Sequence, residues 1–145
     1  MDKNEEIVKQ MRDFSFFCSI WQGFFSRACK AESYAVTEGA VLYALYRSKS
    51  MTSGEIVSCI SLDKGYISRT VGDFKNRGLL LRTTSGEDRR RHIVKLTEKG
   101  RAEIERIIRS ADKMIMEEME KLSAEDRLSL FENLSGVMKY FSSDE

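Results

Sequence analysis

The residues best able to do chemistry in this chain are cationic, and they cluster in its middle. The run "GEDRRRHIVKLTEKG", residues 86 to 100, sets Arg89, Arg90 and Arg91 side by side behind two acids. Residues 64 to 101 hold eleven Lys and Arg against four acids, a net +7, whereas the remainder holds 13 basic and 19 acidic residues, a net −6. The formal net charge of +1 conceals this division. Adjacent guanidiniums repel one another, so their clustering calls for a target of opposite charge, and the asymmetry describes a polyanion-facing module on an acidic body. On charge alone, a solvated surface is the alternative.

A second set of residues lies just before that run. Asp63 caps a helix over 64 to 77, and Gly78 stands where a left-handed C-terminal residue is favoured. With Ile67 as origin and about 100° per residue, Val71 and Phe74 fall within about 40° of it and define a buried side. Gly65, Arg69, Gly72 and Asn76 fall opposite, flanked by Tyr66 and Asp73 and by Ser68 and Lys75. Glycine in a helix interior is unfavourable by roughly 1 kcal/mol, which is reasonable where a backbone must approach something closely. Arg69 can donate two hydrogen bonds to the O6 and N7 edge of guanine, and Tyr66, Ser68 and Thr70 can reach phosphates or base edges. Lys64 and Lys75 suit phosphates, as do the free N–H groups of the helix N-terminus. The bland alternative for Arg69 is a surface pair with Asp73 at i, i+4.

Other chemistries find little support. Cys18, Cys29 and Cys59 are odd in number and show no CxxC pairing, which fits a reducing compartment. His92 is the sole histidine and has no second ligand at metal spacing, so no metal site is predicted. No nucleophile and base pair and no glycine-rich phosphate loop after a strand are visible, so neither an enzyme nor a cofactor is expected. The longest apolar stretch, "FSFFCSIWQGFF", falls short of the roughly 20 residues that span a bilayer and lacks the flanks of a signal peptide. A cytoplasmic location is expected.

These groups need elements to position them. At 145 residues the length suggests one domain. Ile7, Met11, Phe14, Cys18, Trp21, Phe25 and Ala28 keep an alternating four-three spacing, which predicts one long helical seam with Phe16, Phe17 and Phe24 beside it. Thr37 is a candidate cap for a helix to about Ser48. Thr52 with Glu55 forms a capping box for a short helix from Ser53 to about Cys59. Leu79 to Arg82 and His92 to Leu96 read as strands around the turn-forming "TTSGED". Thr97 caps a long helix with Ile104, Ile107, Ile108, Ala111, Ile115, Met119 and Leu122 in rhythm, and "SAED" at 123 to 126 opens a last helix. Apolar faces at both ends exceed what one small monomer covers, which predicts a homodimer through them.

Helix, turn, helix and hairpin is the order of a winged helix-turn-helix, mainly α, in which the second helix enters the DNA major groove. The hairpin then reaches the adjacent minor groove, whose narrow A·T stretches attract arginine. Arg90 is the candidate probe and Asp88 its orienter, with Arg89 and Arg91 on phosphates.

The run from Leu62 to Gly100 resembles the core of the MarR (multiple antibiotic resistance regulator) family of transcription factors. The family's wing pattern is matched by Asp88, Arg90, Val94, Leu96 and Thr97, and its recognition-helix pattern by Ser68, Arg69, Arg77, Gly78 and Leu79. With the order of six helices, the likeness covers nearly the whole chain. It implies a triangular homodimer, with residues 1–33 and 101–145 as dimerisation helices and 37–100 as the DNA-binding lobe. It also implies a pseudo-palindromic operator, repression, and release by a small, often aromatic or phenolic, effector. Prolines common near the family's wing and helix starts are absent here, which implies a more mobile wing. Two alternatives stand beside this reading: a winged-helix module whose basic face meets an acidic protein, and an oxidant sensor acting through Cys18.

Overall fold

The computed structural model describes residues 2–21, 23–60, 62–84 and 92–141, with the side chains of residues 20 and 21 left aside. It falls into two compact units, residues 1–111 and 112–145. The first holds helices α1 (Lys3–Phe16), α2 (Phe24–Ala31), α3 (Val36–Ser48), α4 (Ser53–Ile60) and α5 (Lys64–Asn76), strands β1 (Met51–Thr52), β2 (Leu80–Thr84) and β3 (His92–Leu96), and the start of α6 (Glu98–Met119). The second holds the end of α6 and then α7 (Ala124–Phe141).

The long first helix expected from the four-three spacing is broken. A π-helical segment, Phe17–Trp21, follows α1, and α2 starts afresh after Gly23. The Ser19 hydroxyl donates to the Ser15 and Phe16 carbonyls at 3.0 and 3.1 Å. Such back-bonding competes with the backbone ladder and loosens a helix. A π turn also shifts the register, so Phe25 and Ala28 no longer continue the stripe begun at Ile7. Cys18 is exposed.

Caps that depend on neighbours within four residues form as the sequence predicts. Thr52 Oγ1 accepts from the Glu55 N–H while Glu55 accepts from the Thr52 N–H, both at 3.2 Å. Asp63 accepts from the Tyr66 N–H at 3.1 Å, and Ser123 Oγ from the Asp126 N–H at 3.1 Å. Thr37 is the exception: α3 begins at Val36, two residues before the start that a Thr37 cap implies, because the Glu38 carboxylate reaches back to the Ala35 N–H at 2.9 Å.

The sheet is antiparallel in the order β1-β3-β2. Leu80 pairs with Leu96 and Thr84 with His92, as a hairpin requires. β1, which periodicity did not announce, pairs Met51 with Val94 and Thr52 with Ile93 and so fastens the helix pair α3–α4 to the hairpin. Beneath lies a core of Leu42, Leu45, Ile56, Ile67, Phe74, Leu79, Val94, Ile104 and Ile107. Phe74 is fully buried, and such a side chain contributes about 2–3 kcal/mol. α1 and α7 have no buried residue. Val8, Phe16, Leu128, Phe131 and Phe141 are each more than half exposed.

Candidate nucleic-acid interface

α5 has the two-sided character that its spacing predicts. Ile67, Val71 and Phe74 are buried, whereas Lys64, Ser68, Arg69, Asp73, Lys75 and Asn76 are exposed. Gly65 and Gly72 are intermediate. A Cβ built at Gly72 would meet nothing within 4 Å, so internal packing does not demand this glycine. One built at Gly65 would lie 3.3 Å from the Arg69 guanidinium and 3.0 Å from the Asp63 carboxylate. Gly65 therefore leaves room for Arg69 to lie across the first turn. Asp73 pairs with Arg77 at 3.5 Å, so the alternative in which Asp73 takes up Arg69 is not the arrangement seen.

Two predicted contact residues are less exposed than the other side chains of this face. Thr70 is buried at 8% exposure, because it lies three positions from Ile67 and hence only about 60° from the core direction. Its side chain packs toward the core. Tyr66 is half-buried, and its hydroxyl is 2.5 Å from Thr37 Oγ1. This bond ties the first turn of α5 to the first turn of α3, giving Thr37 a role in place of the cap expected for it. Asp88, Arg89, Arg90 and Arg91 lie outside the described residues.

The far end of α5 is closed by local and distant groups together. Gly78 adopts φ +76°, the left-handed conformation that glycine takes without a Cβ penalty. Leu79 N–H then reaches the Phe74 carbonyl at 2.8 Å and Gly78 N–H the Lys75 carbonyl at 3.0 Å, the paired bonds of a Schellman cap. Thr97 Oγ1 donates to the Gly78 carbonyl at 2.6 Å and accepts from the Gly100 N–H at 3.0 Å. Lys99 Nζ donates to the Arg77 carbonyl at 2.9 Å. A Cβ at Gly100 would fall 2.0 Å from the Leu79 carbonyl oxygen, so only glycine lets the start of α6 come this close.

Sequence reasoning missed the cluster around Tyr34. The buried Tyr34 donates to Glu103 Oε2 at 3.0 Å, and its ring meets Phe74 edge to face at 6.3 Å. The Arg77 guanidinium stands 5.4 Å from the centres of both rings. Arg106 bridges Glu103 at 3.3 Å and Glu32 at 2.8 Å. Burial first, and then the bonded Glu103 carboxylate, push the Tyr34 phenol above its ordinary pKa. Tyr34 and Glu103 are 69 positions apart, so no local pattern could have joined them.

Comparison with known proteins agrees with this geometry. Residues 35–91 match the family model described as MarR family. The chain is 26% identical over 108 residues to the uncharacterized HTH-type transcriptional regulator YdgJ of Bacillus subtilis, covering 74% of this chain and 65% of that one. It thus spans just under two thirds of that relative. The crystal structure of RV1404 from Mycobacterium tuberculosis superposes with a TM-score of 0.80 at 13% identity, covering 100% of this chain and 98% of the other. A cysteine-to-serine mutant of MarR from E. coli, complexed with operator DNA, gives 0.65 at 21% identity, covering 95% and 99%. Residues 35–91 thus carry the match to the MarR family model, and the chain shares the winged-helix fold of these solved structures.

Proposed function

We propose that the protein is a homodimeric, sequence-specific DNA-binding transcription regulator that represses by occupying a pseudo-palindromic operator. The observation that carries this reading is the outer face of α5. It is small and polar, centred on Arg69, and bears a glycine at 72 that the chain itself does not need. Arg69 and Ser68 read base edges in the major groove, Gly65 and Gly72 permit close approach, and Lys64 and Lys75 hold phosphates. Arg90, with Asp88 as orienter, enters the minor groove, and Arg89 and Arg91 add phosphate contacts.

The apolar faces of α1 and α7 support dimerisation, since exposed stripes of this kind mark interaction surfaces. The reading includes release by a small aromatic or phenolic effector, and an open cleft of about 320 Å³ lies between the end of α3 and the start of α6. Leu45, Leu96 and Tyr46 offer apolar surface there, and Lys49 and Arg101 offer cations. Among the described residues no helix is long and apolar enough to cross a membrane. The reading places action at DNA in the cytoplasm.

Duplex binding measured against salt tests the reading. Neutralising several phosphates predicts that log K falls linearly with log salt, by about 0.9 per contact. Binding that is absent, or flat in salt, refutes it in favour of a protein partner for the basic face.

A further inference from the structure

The cluster around Tyr34 has no part in the contacts described above, yet it joins three elements that any DNA-reading geometry depends on. Glu32 and Tyr34 stand in the turn between α2 and α3, Phe74 and Arg77 at the end of α5, and Glu103 and Arg106 in the second turn of α6 and beyond. The N-terminal end of α5 is fixed separately, by the bond between Tyr66 and Thr37. We infer that Tyr34 and Glu103 are positioning residues whose hydrogen bond fixes the angle at which α5 is presented to DNA.

The argument rests on how the contacts share partners. Tyr34 uses its hydroxyl on α6 through Glu103 and its ring on α5 through Phe74 and Arg77. Glu103 is itself held by Arg106, which Glu32 anchors on the segment before Tyr34. The loop of contacts therefore closes on itself: α6 to the turn through Arg106 and Glu32, and the turn to α6 through Tyr34. Arg77 lies over both rings, so a shift of Tyr34 also moves the cation beside the Schellman cap. The bond from Tyr34 to Glu103 sets where the Tyr34 ring sits, and through that ring the position of Phe74 and Arg77 at the end of α5.

This inference depends on the DNA-binding reading, and the experiment separates the two. Tyr34→Phe removes the hydroxyl and leaves the ring, Glu103→Ala removes the acceptor, and Glu103→Gln keeps an acceptor oxygen for Tyr34. Each variant is measured against a duplex enriched from a random pool by the wild-type protein and against a scrambled duplex, well below its unfolding midpoint. Tyr34→Phe and Glu103→Ala are expected to weaken the selected duplex about tenfold, the scale of a lost bond to a charged group, with the scrambled duplex unchanged. Combining them should do no further harm, and Glu103→Gln should stay within about twofold of wild type. Equal losses on both duplexes, no loss on either, or a Glu103→Gln loss as large as that of Tyr34→Phe overturns the assignment. Amide exchange without DNA gives a second reading: Tyr34→Phe should speed exchange of the Arg77, Gly78 and Leu79 amides about fivefold relative to those of α4. If no duplex is enriched, the DNA reading fails, and unchanged exchange at those amides then overturns the lock as well.

Discussion

Gly72→Ala is a sharp test of the proposed interface because stability and affinity are expected to move in opposite directions. Gly72 is well inside α5, and the added methyl would meet nothing within 4 Å. Alanine in a helix interior is favoured over glycine by about 1 kcal/mol, partly through the narrower unfolded ensemble. With no clash to offset it, the variant should gain close to that amount, raising the unfolding midpoint by about 2–5 °C for a domain of this size. If α5 lies in a groove, the same methyl falls where DNA must come. Overpacking of a close-fitting contact costs about 1–3 kcal/mol, so operator affinity should fall roughly five- to a hundredfold. Chemical denaturation gives the first quantity and fluorescence anisotropy with a labelled duplex at fixed salt gives the second. A stabilised protein with wild-type affinity would refute the docking of this face, and a destabilised one would refute the open space around Gly72.

Other perturbations test separate parts of the structure. Gly100→Ala should destabilise by several kcal/mol or prevent folding, since backbone at Leu79 stands 2.0 Å from the new Cβ; a normal denaturation curve would contradict that close approach. Phe131→Asp alters a residue 68% exposed, so sedimentation should show loss of dimer while circular dichroism keeps the helical signal. An unchanged dimer would remove this part of α7 from the interface. In a native alkylation assay read by mass spectrometry, Cys59 should react and Cys29 should not. Burial pushes the Cys29 thiol up to about 11 from 9.0. Because that folded value is raised, and the Tyr34 phenol is raised too, the folded state holds its protons longer than the unfolded chain. Stability is thus present below about pH 9 and should decline as pH rises toward 11; a flat denaturation midpoint across that window would contradict the burial of both groups.

What the sequence determined by itself is what acts over a few residues. The box at Thr52 and the caps at Asp63, Thr97 and Ser123 join groups three positions apart, and Gly78 turns left-handed because it lacks a Cβ, so local backbone geometry leaves little choice. The hairpin register and the two faces of α5 follow from periods of two and 3.6. Thr70 was legible too, since its angle to Ile67 already placed it inward. Packing decided the rest. β1 is a two-residue strand that exists because β3 lies beside it. Thr37 meets Tyr66 across 29 positions and Tyr34 meets Glu103 across 69. Such pairs are chosen by the arrangement of helices around a shared core, so the groups that aim α5 emerge only once the chain is folded.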